Sequence, residues 1–242
     1  MTNRDEQHGL DEPSGHGQLE HDPHDHGTVE HLTPDEYDRG YWEQRYSSPG
    51  LQWSGRPNPV LVDEVRDLAP GRVLDVGSGE GGDAIWLAAR GWQVTAIDIA
   101  QAALDKAAAR AAEADEAAAA RITWEQHDLA DWAPTPGSFD LVSSQFMHLA
   151  DPLRAALFRS LAAAVAPGGT LLVVGHDLGD LAAGAGRHGK EELMFTVDDV
   201  LAAVPDAGWT VDVAESRARH VAVTAGGTTT VRDVVVKASR AS

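Results

Sequence analysis

The stretch Val73–Ala100, VLDVGSGEGGDAIWLAARGWQVTAIDIA, decides the fold. A short apolar run, Val73–Val76, is interrupted by a single acid, Asp75. Gly77, Gly79 and Gly82 follow at the spacing G-x-G-x-x-G, and a helical pattern, Gly82–Ala89, opens directly on the last of them. A second apolar run, Gln93–Ile97, ends on another acid, Asp98, 21 residues after Gly77. Strand, glycine turn, helix and strand in that order make a right-handed βαβ unit. Parallel strands need cover on both faces, so more strand–helix pairs are expected around this one.

The chain supplies them. An alanine-rich segment, Gln101–Ala119, predicts a helix by propensity, and Ile122–Gln126 a third strand. Phe139–Ser143 reads as a fourth strand, followed by a helix over Pro152–Ala166. Thr170–Gly175 reads as a fifth, after APGG, and Val197–Val204 as a helix beyond a glycine-rich loop. The last two strands, about Thr210–Ala218 and Thr229–Ala238, are joined through TAGG as an antiparallel hairpin. The expected class is α/β, a Rossmann-like doubly wound sheet. Ahead of it, Thr33, Pro34 and Glu36 form a helix-start pattern, and Val60–Leu68 is a short amphipathic helix ended by Pro70-Gly71.

Residues 1–31 have a different texture. They hold six of the 11 histidines and eight acids against Arg4 alone, with few large apolar residues. Such a segment cannot offset its ordering entropy by burial, so a disordered tail is expected, with one domain over 32–242. His21, His24 and His26 are competent metal ligands in composition, but no predicted helix or strand fixes their geometry, so no metal site is assigned.

Composition narrows the function. A net charge of −19 and the absence of any Lys/Arg cluster argue against nucleic acid as substrate. With no cysteine, thiolate metal sites and cysteine nucleophiles are excluded. No apolar run approaches 18 residues, so no membrane span is expected, and the default compartment is the cytoplasm.

The glycine turn with Asp98 suits either a dinucleotide or S-adenosylmethionine. Asp75 discriminates. A pyrophosphate at the helix N-terminus is anionic and is repelled by a carboxylate. S-adenosylmethionine has no phosphate and carries a sulfonium and an ammonium, which a carboxylate attracts. The alternative is that Asp75 only caps the turn.

Here the chain resembles class I S-adenosylmethionine-dependent methyltransferases over about residues 40–238. The resemblance rests on VLDVGSGEG (Val73–Gly81), VTAIDIA (Val94–Ala100), HDLAD (His127–Asp131), FDLVSSQFMHL (Phe139–Leu149) and LAAAVAPGGTLLVV (Leu161–Val174), in that order. It implies a sheet order 3-2-1-4-5-7-6 with the seventh strand antiparallel. It also implies that Asp75, Gly77, Ser78 and Gly79 hold the methionine moiety, with Asp98 on the ribose and Ile99 against the adenine. Asp128 reaches the adenine amino group with Leu129 beside it, and Ser144 and Gln145 complete the cofactor set. The segment YWEQRY…LQWSGRPN is similar to the small-molecule branch containing thiopurine and tellurite-resistance methyltransferases. In that branch Trp42, Tyr46 and Trp53 belong to an N-terminal helical lid; the alternative is that they only pack the helix on the sheet.

Methyl transfer is an in-line displacement, so the protein supplies positioning and, for an O–H or N–H acceptor, a base. The stretches after the fourth and fifth strands place Gln145, His148, His176 and Asp177 near the acceptor, and His148 and His176 are the base candidates. Either histidine has a packing role as its alternative. The loop Gly179–Phe195, rich in small residues, suits a flap. A small-molecule S, O or N acceptor is the leading expectation, with a monomer or homodimer. The alternatives are a protein or RNA methyltransferase, or a metal-binding protein working through its tail.

Overall fold

The computed structural model describes residues 37–147, 149–182, 191–222 and 228–242. The acidic tail with His21, His24 and His26, the Thr33 cap, His148 and residues 183–190 of the expected flap lie outside the described residues.

Seven strands form one sheet: β1 (Arg72–Val76), β2 (Gln93–Asp98), β3 (Ile122–Gln126), β4 (Phe139–Gln145), β5 (Val165–His176), β6 (Trp209–Ala222) and β7 (Thr228–Arg240). Their order is β3-β2-β1-β4-β5-β7-β6, parallel except where β7 pairs with β5 and β6. This is the doubly wound, Rossmann-like arrangement expected from the sequence. The helices are α1 (Arg39–Ser47), α2 (Pro59–Val65), α3 (Gly82–Ala89), α4 (Gln101–Ala114), α5 (Glu116–Ala119), α6 (Leu153–Ala164), α7 (Gly179–Ala182) and α8 (Val197–Leu201).

Alternation along β1 builds the two faces. Val73 packs with Leu61 of α2 and with Ala84 and Leu87 of α3. Leu74 and Val76 point the other way, into a core with Leu157, Phe158 and Leu161 of α6. Period two therefore puts Asp75 on the α3 side, beneath the glycine turn. Leu61, Leu87 and Phe158 are all fully buried, the burial expected of a sheet covered on both faces.

Two expectations change. The alanine-rich helix is two helices, because Asp115 adopts an extended conformation after α4 and its carboxylate caps the Ala117 and Ala118 N–H groups of α5. A capping acid wins over uniform propensity here. The hairpin is also longer than its apolar pattern suggested. The last β5–β7 pair is His176↔Asp233, and Asp233 in turn faces Arg217 on β6. Beyond that level, Ala218–Ala222 and Thr228–Arg232 continue as a two-stranded ribbon past the carboxyl end of the sheet.

Candidate cofactor and acceptor site

A cavity of about 780 Å³ opens over the carboxyl ends of the parallel strands, a size in the usual range for small-molecule sites. Its floor is the glycine turn. Gly77 has φ +72°, and a Cβ there would come within 2.6 Å of the Met147 side chain. The Gly77 and Ser78 N–H groups both donate to the Ile97 carbonyl at 2.9 Å, which ties the turn to β2. At Gly82 a Cβ would lie 2.6 Å from the Arg56 carbonyl oxygen, so glycine lets the loop before α2 cross the start of α3.

Carboxylates crowd this floor. Asp98 Oδ2 accepts from the Gly79 N–H at 2.8 Å and Oδ1 from the Ala100 N–H at 2.9 Å. Asp83 accepts from the Asn58 N–H at 2.6 Å. Burial pushes both carboxyls up to about 6, against the backbone hydrogen bonds that pull them down. Burial raises Asp75 well above the usual carboxylate range, with the charges of Asp83 and Asp98 adding to it. Asp75 Oδ2, Ser78 Oγ and Ser144 Oγ are buried without hydrogen-bond partners among the described residues. Such acids await a cationic partner and would oppose a pyrophosphate.

The residues thus fit S-adenosylmethionine: Ser78, Gly79 and Asp98 on the cavity floor, Ile99, Asp128 and Leu129 along the wall, and Asp75 below. Asp75 and Ser144 lie behind the wall rather than on it. This arrangement has a pH consequence. The raised folded-state values of Asp83 and Asp98 mean that their contribution to stability is full below about 3.8 and is lost as pH rises through about 6. A cationic ligand reverses that loss, because it binds the ionised acids and expels their protons. Affinity for S-adenosylhomocysteine, which keeps the ammonium, is expected to rise between pH 5 and pH 7, by up to about tenfold per unit for each proton released. Calorimetry across that range measures it, and a flat profile would refute the acid-belt reading.

Sequence reasoning missed Glu80, which is buried in the turn itself. Its carboxylate accepts from the Gln52 N–H at 2.8 Å and the Trp53 N–H at 3.1 Å, and Lys106 of α4 lies 3.4 Å away. Lys106 also donates to the Ser48 and Gly50 carbonyls, and Arg110, one turn on, donates to the Gly55 carbonyl at 2.8 Å. The loop after α1 is therefore latched to the cofactor turn on one side and to α4 on the other. Glu80→Gln is expected to cost about 1.5–3 kcal/mol, the range for hydrogen bonds to a charged group. Hydrogen exchange should speed up at Gln52 and Trp53; unchanged exchange would show that the latch does not hold the loop.

That loop carries the aromatic residues. Trp53 Nε1 donates to Tyr46 Oη at 2.8 Å, Trp42 stacks on Tyr46 at 6.0 Å, and all three line the cavity. Burial raises the Tyr46 phenol far above its ordinary range, with Asp98 adding to it, so it stays neutral. The same residues pack on Ala100 and Ala103 of β2–α4, so they serve both as wall and as packing.

On the acceptor side, Gln145 lines the cavity, accepting from Asn58 Nδ2 at 3.0 Å and donating to Ser143 Oγ at 2.9 Å. His176 stands behind Phe146, a cavity residue whose ring lies 4.7 Å from the imidazole. Its Nδ1 is 3.5 Å from Asp233 Oδ1, and Asp233 Oδ2 accepts from Arg219 Nε at 2.6 Å. Asp177 is spent on structure, accepting from Ser216 Oγ and the Gly179 N–H.

Comparison with known proteins fits this geometry. Residues 73–169 match the family model for a methyltransferase domain. A ubiquinone biosynthesis O-methyltransferase of Xanthomonas campestris pv. campestris is 42% identical over 121 residues, 48% of each chain. The chain spans about half the length of the curated relatives it matches. Among solved structures, one concerning the conversion of a disulfide bond into a thioacetal group during echinomycin biosynthesis superposes with a TM-score of 0.62 at 22% identity, covering 86% of this chain and 91% of that one. An S-adenosylmethionine-dependent methyltransferase from Mesorhizobium loti gives 0.56 at 22% identity, covering 75% and 96%. Residues 73–169 therefore match a methyltransferase domain, and the fold of the chain is the one that the superposed structures share. Its sheet order is that of the Rossmann-like methyltransferase fold.

Proposed function

We propose that this chain transfers a methyl group from S-adenosylmethionine to a small-molecule nucleophile. The observation that carries the reading is the belt of acids, buried Asp75 and Asp98 with half-buried Asp83, under a glycine turn that opens into a small-molecule cavity. When bound, S-adenosylmethionine supplies a methyl carbon activated by the adjacent sulfonium. The chain's own residues do the rest. Asp98 and the turn orient the cofactor, and Trp42, Tyr46 and Trp53 exclude water. The relatives named for O-methylation support an oxygen acceptor. For such an acceptor His176, behind Phe146 with Nδ1 turned to Asp233, is the base candidate taken from the sequence, while His127 and His220 stand on the cavity wall itself.

A screen for S-adenosylhomocysteine release over thiols, phenols, amines, halides and chalcogen oxyanions tests the proposal. Turnover of a phenol or another small nucleophile supports it. Activity restricted to protein or RNA would replace it with the macromolecular alternative.

A further inference from the structure

The chain leaves β4 through a break in its alternation. Phe146 has φ +53°, in the left-handed region, and among the described residues it is the only one besides glycine with a positive φ. A regular strand would turn every second side chain away, yet Gln145, Phe146 and Met147 all line the cavity. They do so beside the glycine turn, where the Met147 side chain meets Gly77.

Gln145 is held at both ends of its amide, and the hydrogen bonds fix which end is which. The Val60 N–H donates to Asn58 Oδ1 at 2.9 Å, so the other arm of the Asn58 amide is its nitrogen. Asn58 Nδ2 donates to Gln145 Oε1 at 3.0 Å, and Gln145 Nε2 donates in turn to Ser143 Oγ at 2.9 Å. A backbone donor thus sets the sense of the whole series, where an isolated amide would be free to turn over. Asn58 is itself fixed: it is buried, it caps α2, and its own N–H donates to Asp83. Each amide nitrogen carries two hydrogens and spends one. Asn58 and Gln145, both on the cavity wall, therefore each keep an N–H without a partner among the described residues.

We propose that Asn58 and Gln145 select a hydroxyl as the methyl acceptor, Gln145 binding its oxygen and Asn58 positioning Gln145. The proposal rests on the methyltransferase reading and specifies the acceptor class of the same site. Lone pairs decide the selection. A hydroxyl oxygen has two, and one forms the new C–O bond as the carbon–sulfur bond breaks and leaves its electron pair on sulfur. The other accepts the Gln145 N–H, and the hydroxyl proton departs to a base or to water. An amine has a single lone pair, which the transfer consumes, so it offers the amide only N–H groups. Donor then faces donor, and the Gln145 N–H goes unpaired. Val60, Phe146, Met147 and Leu149 line the same cavity and suit an aromatic ring bearing the hydroxyl.

2-Aminophenol tests the proposal, because it offers both nucleophiles on one ring. The full chain is supplied with S-adenosylmethionine, and the O-methyl and N-methyl products are separated and quantified. A neutral amine is the stronger nucleophile in free solution, so a preference for oxygen has to come from the protein. The O-methyl product is expected to lead by about tenfold or more. Gln145→Glu keeps both anchors, accepting from Asn58 and from the Ser143 hydroxyl, but carries no N–H. Asn58→Asp keeps the α2 cap and the N–H to Asp83, and reverses the Gln145 amide. Each should lower the O-to-N ratio by about 10- to 100-fold, the factor for a donor left unpaired. An unchanged ratio in a folded variant, or mainly N-methyl product from the unmutated chain, would overturn the proposal. So would failure to methylate 2-aminophenol by a chain active on another nucleophile. Should a variant not fold, the unmutated ¹⁵N-labelled chain loaded with S-adenosylhomocysteine gives a second readout. The Gln145 side-chain NH₂ resonances should shift with catechol and not with benzene-1,2-diamine; resonances unmoved by catechol would overturn the proposal. Failure to bind S-adenosylhomocysteine, with no turnover of any nucleophile, would instead overturn the reading beneath it.

Discussion

His176→Ala is expected to lower turnover on a phenolic acceptor by about 10²–10⁴-fold, the usual contribution of a positioned base. Affinity for S-adenosylhomocysteine should stay unchanged, because the imidazole lies behind Phe146 and away from the glycine turn. The argument is one of orientation. Buried Asp233 lies 3.5 Å from Nδ1, so a proton on that nitrogen leaves Nε2 as the basic atom. Arg219 on the far oxygen of Asp233 holds the carboxylate in place. For a thiolate or halide acceptor the loss should be small, since no proton has to be removed. Full activity of the variant on an acceptor with a high pKa would take His176 out of the chemistry and direct attention to His148.

Asp98→Ala is expected to weaken S-adenosylhomocysteine binding by about 1.5–3 kcal/mol, through lost hydrogen bonds to a charged acceptor. Both carboxylate oxygens already take a backbone N–H, from Gly79 and Ala100, yet each has a second lone pair for the ribose hydroxyls. The substitution also releases the turn, since the Gly79 N–H loses its partner. Ligand-free stability should change less, because removing a buried acid raised to about 6 offsets part of the two unsatisfied donors. Calorimetry on the variant measures the effect, and an unchanged dissociation constant would refute the assignment of Asp98 to the ribose.

What the sequence disclosed was local. The β1–turn–α3–β2 unit is read directly from apolar runs, three glycines and two acids, and the structure keeps it almost residue for residue. Strand order followed from resemblance, since periodicity alone does not order a sheet. Glu80 and Asp83 stand inside the same motif but were passed over. Their roles come from burial and from Gln52, Trp53 and Asn58, which return from 25 to 28 residues earlier in the chain. The β6 wall was invisible for a similar reason. Only the register Arg217↔Asp233↔His176 shows that the hairpin overhangs the cavity. Asp177 looked available by position, but Ser216 and Gly179 occupy its oxygens.

The central claim is that the acid-flanked glycine turn holds a cationic methyl donor rather than a pyrophosphate. Calorimetric titration of the purified chain with S-adenosylhomocysteine and, separately, with NAD tests it most directly. Saturable one-site binding of S-adenosylhomocysteine with no heat from NAD is the expected result. Saturable NAD binding with no response to S-adenosylhomocysteine would contradict it.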